Sequence, residues 1–317
     1  MTDKTVALTR REFLGGSLMA AAGCMAGRGA MPRHRSDYDG VQIGVITYSY
    51  RSMPKVPGAT LGHVTGSGLG TIELMGGDLE RDAGIPFADR APKSLTADEK
   101  AAIAAWRKTA DIGRFREIRR RYEDAGVDVH IVKFGAIGGM EDWKTDYCFK
   151  VAEAMGARAI TREIPDPKNM EAWKASALKL REYTAKYGVK IAFHNHLQIN
   201  ATTYDGPLLD WCDDFRINFD IGHYTAANED DPLAFVKKYH DRIFSIHLKD
   251  RTTKAHGQRN LAFGTGDTPL AGLFALLKRE GWDYPCDIEL EYAIPAGSDA
   301  VKEVGVSNRF CRNLIQA

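Results

Sequence analysis

The 317-residue sequence holds five cysteines, Cys24, Cys148, Cys212, Cys286 and Cys311, and none pairs with another in a C-x-x-C spacing. A zinc knuckle is therefore not expected, and a disulfide framework has no support in a chain of this size. Net charge is nearly absent, since 43 basic residues face 42 acidic ones and leave +1. No global field steers the chain to nucleic acid or to an anionic membrane surface. No G-x-G-x-x-G follows the first apolar run, so a dinucleotide-binding turn has nothing to rest on. No low-complexity tract or long linker divides residues 38–317. What is present suits a globular core: 44% hydrophobic and 27% charged residues, enough to bury a full interior.

The N-terminus has its own pattern. Thr9-Arg10-Arg11-Glu12-Phe13-Leu14 precedes a mild apolar stretch, Gly15 to Gly27, too short to span a bilayer. The pair of arginines and the short apolar region resemble a bacterial twin-arginine (Tat) export signal. That resemblance implies a periplasmic protein, exported already folded. Cys24 follows Ala21-Ala22-Gly23, part of a lipobox, so a lipid anchor at Cys24 stays open; cleavage after Cys24-Met25-Ala26 is the alternative. Residues 1–36 read as leader and linker, and 37–317 as one folded domain.

Within that domain, eight apolar, β-branched runs alternate with helical patterns. The strands are expected at Val41–Tyr48, Thr71–Met75, Val127–Phe134, Arg158–Ile164, Lys190–His194, Ile217–Ile221, Ile243–Leu248 and Asp287–Tyr292. Thr96-Ala97-Asp98-Glu99 forms a capping box that opens a helix. Gly188 stops the helix that begins near Met170. A long insertion, about Gly76 to Lys108, separates the second strand from its helix and reads as a lid or rim. This alternation predicts an α/β fold, a single (β/α)8 TIM barrel with a long insertion after strand 2. A doubly wound open sheet is the runner-up.

The polar residues cluster where such a barrel places its active site, at the strand C-termini. In order these are Tyr48, Glu73, Lys133, Arg162 and Glu163, His194 and His196, Asp220 and His223, His247 with Lys249 and Asp250, then Glu289 and Glu291. Each follows an apolar run that belongs in the core. Buried ionisable groups cost several kcal/mol unless paired or metal-bound. A ring dominated by His, Asp and Glu is therefore read as an assembled site. A mixed imidazole and carboxylate set suits Zn, Mn, Fe or Co better than Mg or Ca.

The segments Phe193-His194-Asn195-His196, Asn218-Phe219-Asp220-Ile221-Gly222-His223, Ile246-His247-Leu248-Lys249-Asp250, Phe263-Gly264-Thr265-Gly266-Asp267 and Ile288-Glu289-Leu290-Glu291 resemble the xylose-isomerase-like TIM-barrel superfamily of sugar isomerases, epimerases and dehydratases. The resemblance implies one divalent metal ion (Mn, Zn, Co or Mg) held by His194, Asp220, His247 and Glu289. The chain departs from the common Glu-Asn-His pattern at His194-Asn195-His196, where His196 or Glu163 is the competing ligand; Glu291 competes with Glu289. The reaction implied is removal of a proton beside a carbonyl polarised by the metal, leading to isomerisation, epimerisation or elimination. His196, Lys249, Glu291 and His223 are the acid/base candidates. Glu73, Glu163 and Arg162 are candidate substrate contacts. The substrate expected is a small sugar or glycoside, 3-keto-glycosides being favoured by export, with no nucleic acid partner. An oligomer stays open. Gly264-Thr265-Gly266 reads as a turn in preference to a phosphate cradle. The alternatives are a metal-dependent phosphodiesterase on the AP-endonuclease-like barrel, and a carbohydrate-binding barrel without turnover.

Overall fold

The computed structural model describes residues 35–135 and 137–317. The twin-arginine pattern and Cys24 lie outside the described residues. The barrel strands are β1 Val41–Ile46, β2 Thr71–Met75, β3 Asp128–Lys133, β4 Ala159–Glu163, β5 Lys190–His194, β6 Phe215–Asp220, β7 Ile243–Leu248 and β8 Cys286–Ile288. Each pairs in parallel with the next, and β8 pairs with β1, closing the barrel. Strands with apolar residues on both faces are what a doubly covered parallel sheet requires. Outer-face side chains such as Ile72, Val132, Ile160, Phe193, Phe219 and Leu248 join the main core with the surrounding helices. The apolar layer inside the barrel is small: Ile131, Ala159 and Ala192, with Phe244 against it.

Two register shifts matter for the site. Between β2 and β3 the pairing moves from Ile72↔Val129 to Glu73↔Ile131, leaving His130 as the extra residue. A bulge of this kind re-aims a side chain. Here His130 meets Thr71 Oγ1 at 3.0 Å and Asp287 at 2.9 Å, in a fully buried polar layer beneath the strand ends. The second shift, between β6 and β7, leaves Phe244 as the extra residue.

The helices are α1 Ala59–Gly66, α2 Gly76–Ala83, α3 Ala97–Thr109, α4 Ile112–Asp124, α5 Asp142–Ala154, α6 Met170–Tyr187, α7 Ile221–Ala227, α8 Pro232–Lys238, α9 Leu270–Glu280 and α10 Ala300–Ile315. The insertion after β2 is helical, made of α2 and α3. The Thr96 and Glu99 capping box is formed. Glu80 on α2 pins the insertion down: it accepts two hydrogen bonds from Arg107 on α3, at 2.6 and 2.7 Å, and one from the Tyr147 hydroxyl on α5 at 3.0 Å. At the other end of the barrel Ser36, assigned above to the leader and linker, is fully buried. Its hydroxyl donates to Ile43 O and accepts from Gly70 N, so it belongs with the packed domain. Among the described residues no helix is long and apolar enough to cross a membrane.

Candidate metal centre

Strand alternation puts His194, Asp220, His247 and Glu289 on the inner face at the ends of β5 to β8. Each offers a ligand atom, and the four atoms lie within 4.8 Å of one another, all buried. Local structure orients them. Asp220 caps α7: its Oδ1 accepts from His223 N at 2.6 Å. That bond turns Oδ2 toward the centre, where it is buried with no hydrogen-bond partner, 3.1 Å from the Lys249 ammonium.

One carboxylate sets the tautomers of both histidines. Glu73 Oε2, fully buried on β2, lies 2.9 Å from His247 Nε2 and 3.0 Å from Asn218 Nδ2. A carboxylate accepts only, so His247 Nε2 carries a proton and the Asn218 amide points its NH2 at Glu73. The Asn218 oxygen then faces His194 Nδ1 at 2.7 Å, which must donate. Both rings are left with an inward lone pair: Nε2 on His194 and Nδ1 on His247. The latter lies 3.0 Å from Glu289 Oε2. A lone pair facing a carboxylate is repulsive unless a proton or cation sits between them. Burial pushes the His247 imidazole down, but the Glu73 and Glu289 carboxylates outweigh it and raise it to about 10. Burial first, with the charges of Lys133 and His247 adding to it, drives His194 well below the usual imidazole range, so it stays neutral, as a ligand must. Burial raises Glu289, and Lys249 with His247 overcome this and hold it well below the usual carboxylate range. A neutral His194, the ionised carboxylates of Asp220 and Glu289, and a hydrogen-bond partner behind each ring fit a divalent cation that would replace the proton between His247 and Glu289.

Around this ring the other residues divide. Lys249, 2% exposed, places Nζ 2.8 Å from Glu291, 2.8 Å from His223 Nε2 and 3.2 Å from Glu289. Burial lowers the ammonium, but Asp220, Glu289 and Glu291 more than compensate, so it stays charged. His223 lies between two cations, with Lys249 Nζ 2.8 Å from Nε2 and Arg251 2.6 Å from Nδ1; the neutral ring has one lone pair and accepts from one of them. Burial first, with Lys249 adding to it, lowers His223 to about 4 despite Asp220. Gly222 permits this contact, since a Cβ there would meet Lys249 O at 2.5 Å. His196 stands at the rim, 54% exposed, with its ring 5.1 Å from that of His194 and Nε2 3.6 Å from Glu163. Glu291 is also partly open. Glu163 pairs with Lys133 at 3.0 Å and keeps one oxygen without a hydrogen bond.

Two expected substrate contacts are placed elsewhere. Glu73 is sealed beneath the ring and orients ligands. Arg162 neighbours Glu163 on β4, so it takes the opposite, outer face; it stacks over Trp173 at 4.3 Å and donates to Ile137 O. Asn218 was given no role in the site from sequence, and Arg251 read as part of a basic, solvated loop after β7. Asn218 could have been found, being two residues before Asp220 and so on the same face. Arg251 carried no such signal, because its direction is set by the hairpin of Asp250–Arg251 with Asn260–Leu261. The Gly264 to Gly266 turn does cradle an anion, and it is this chain's own Asp250, whose Oδ2 accepts from the amides of Gly264, Thr265 and Gly266 at 2.8, 3.1 and 3.0 Å.

A cavity of about 780 Å³ lies to one side of the ring. It sits over the ends of β1 and β2 and under the insertion, and none of the four ligands lines it.

Comparison with known proteins agrees with this architecture. A stretch of an inosose dehydratase from Clostridium beijerinckii is 35% identical over 89 residues, 26% of this chain and 30% of that protein. The chain spans between 30% and 55% of the lengths of the inosose dehydratases it matches. Two solved structures share the fold at low identity. The 3-keto-D-glucoside 4-epimerase YcjR from E. coli superposes with a TM-score of 0.60 at 13% identity, covering 86% of this chain and 99% of that one. The IOLI protein, solved with a zinc atom, gives 0.61 at 13% identity, covering 87% and 98%. The family model for the xylose isomerase-like TIM barrel matches residues 68–310, and the chain belongs to that family.

Proposed function

We propose that the chain is a divalent-cation-dependent enzyme that removes a proton beside the carbonyl of a keto-sugar, and that it completes the reaction by elimination or epimerisation. The observation that carries this reading is the buried quartet His194, Asp220, His247 and Glu289, whose ligand atoms converge at four successive strand ends. These four would hold the cation. When bound, such a cation supplies Lewis acidity to a substrate carbonyl and its neighbouring hydroxyl, acidifying the C–H bond between them.

The chain's own groups supply the rest. His196 and Glu291 stand at the ends of β5 and β8, are open to solvent, and flank the ring. They are suited to take a proton from carbon and to return one to the departing oxygen or to the other face of the carbon. Lys249 stays charged and holds Glu291 at 2.8 Å, fixing the carboxylate's direction. His223, neutral between Lys249 and Arg251, is a positioning residue and not a proton donor at neutral pH. Relatives that dehydrate inosose and a fold neighbour that epimerises a 3-keto-glucoside support this chemistry. The twin-arginine pattern supports export, and a periplasmic enzyme meets unphosphorylated glycosides, which favours 3-keto-glycosides as substrates.

Metal analysis of the purified protein, followed by proton–deuterium exchange at carbon on a panel of keto-sugars and keto-glycosides in D₂O, tests the reading. Bound metal with exchange is the expected result. Absence of metal, with wild-type sugar affinity in Asp220→Ala and His247→Ala variants, sinks it in favour of a binding barrel.

A further inference from the structure

The cavity beside the ring has the character of a second subsite. Its volume of about 780 Å³ falls in the range of pre-formed small-molecule sites, roughly 300–1,000 Å³. Its wall carries charged side chains, Arg81, Arg90, Lys100 and Arg107 among them, beside an unusual set of apolar ones. Six large apolar residues stay exposed among the described residues, and three of them, Tyr48, Val56 and Phe87, line this one cavity. Exposed apolar residues scattered singly need no explanation, but their convergence on one concavity does. Trp143 also lines it, and its buried indole N–H has no acceptor among the described residues.

Backbone geometry adds an independent observation. Phe87 holds φ +58°, the left-handed region. A bulky residue there is strained, and such strain persists where a side chain is held for use. Glycine would take the same backbone at no cost. The sequence keeps an aromatic ring there instead.

The cavity and the ring share a seam. Ser49 Oγ donates to Ile288 O and accepts from Leu290 N. Arg51, stacked 4.5 Å from the Tyr48 ring, donates to Leu290 O. The stretch that brings Tyr48, Tyr50 and Arg51 to the cavity wall is therefore bonded directly to the segment that carries Glu289 and Glu291. A molecule with a sugar ring over β5 to β8 would cross β1 to reach the cavity.

We propose that this cavity is the aglycone subsite of a two-part substrate and takes a flat apolar group, such as an aryl ring, against Phe87 and Tyr48. The proposal rests on the keto-sugar reading and deepens it by naming the substrate class, an aryl glycoside. No covalent step is assigned to the cavity. Its role is to hold the part of the substrate that does not react, which raises selectivity for glycosides over free sugars.

Binding of phenyl β-D-glucopyranoside and methyl β-D-glucopyranoside to the full chain, measured by calorimetry, tests it. The phenyl compound should bind about tenfold tighter, the size expected of one well-placed aromatic contact plus its burial. Phe87→Gly removes the ring and relieves the strained backbone, so the variant folds; it should lose most of the phenyl preference and keep the methyl affinity. Tyr48→Ala should do the same to a smaller extent. Equal affinities for the two glucosides, or a phenyl preference intact in both variants, overturns the proposal. The two readings fail separately. Phenyl preference without deuterium exchange on any keto-sugar leaves the subsite standing and removes the chemistry. Exchange without phenyl preference leaves the chemistry and removes the subsite.

Discussion

The two halves of the barrel mouth differ in what their strand ends do. Strands β5 to β8 end in ligands, with His194, Asp220, His247 and Glu289 aimed at a common point. Strands β1 to β4 end in support: Glu73 orients two imidazoles, Lys133 and Glu163 pair with each other, and the β1 end walls a cavity. Both halves show polar residues after apolar runs. The difference is convergence. Four buried ligand atoms that meet at one point invite a cation, whereas a carboxylate such as Glu73, spent on bonds to a neighbouring imidazole and amide, is orienting.

The comparison breaks most readily at His247. His247→Ala should strip the bound metal and lower deuterium exchange by about a thousandfold or more, the value of a Lewis acid at the reacting carbonyl. Exchange within tenfold of wild type would put the ligands elsewhere. In the supporting half, Glu80→Gln leaves Arg107 with a broken buried pair and should cost about 3 kcal/mol in urea unfolding. Metal affinity should not change, because Glu80 touches only α3 and α5. Glu73→Gln tests orientation without removing a ligand. Cation affinity should fall by about 10- to 100-fold with the fold intact, and no change would show that the tautomers are set by something else. Arg162→Met should leave exchange at the wild-type rate and lower stability by about 1 kcal/mol through the lost contact with Trp173. A collapse of activity would return Arg162 to the site.

The smallest effect lies far from the mouth. Asp146 on α5 is bonded by Lys150 and Lys186 at 2.7 and 2.8 Å and by the Tyr187 hydroxyl. Partial burial raises its carboxyl, but these hydrogen bonds prevail and lower it from 3.8 to about 2. A depressed acid stabilises the fold above its unfolded value, near pH 4, and that contribution disappears as pH falls through about 2. Asp146→Asn should cost at most about 1 kcal/mol at pH 7, screened by solvent, and the difference should shrink steadily as pH falls from about 4 toward 2. A pH-independent difference would assign the effect to packing.

Much of this contrast was legible in the sequence. β2, β5 and β7 fall at the residues expected, and the other strands differ by one to four residues at their ends. The closed barrel follows from the alternation; the ends of the apolar runs gave the wider polar ring, and the family resemblance singled out the quartet within it. The supporting half was harder to read. Glu73 looks like any rim carboxylate until its depth is known. Arg162 and Glu163 are adjacent, so only one can face inward, and alternation alone would have excluded the pair. His130 enters the barrel through a bulge, which shifts register by one residue and leaves no periodic trace. The insertion's helix α3 was announced by its capping box, but nothing local showed that Glu80 would anchor it from α2.

One tie near the mouth acts on chain entropy. The Asp250 carboxylate gathers the amides of Gly264, Thr265, Gly266 and Thr268, and so closes the excursion that follows β7 into a ring. The four cysteines among the described residues are all free. A disulfide across the same ring would narrow the unfolded ensemble. A carboxylate cannot, because its partners assemble only after the loop has turned. It constrains the folded ensemble alone: to swing the loop open, four amides must find water at once. Opening there is therefore concerted, and fraying one residue at a time is suppressed. Lys249, the residue before Asp250, inherits that stiffness through a single peptide link.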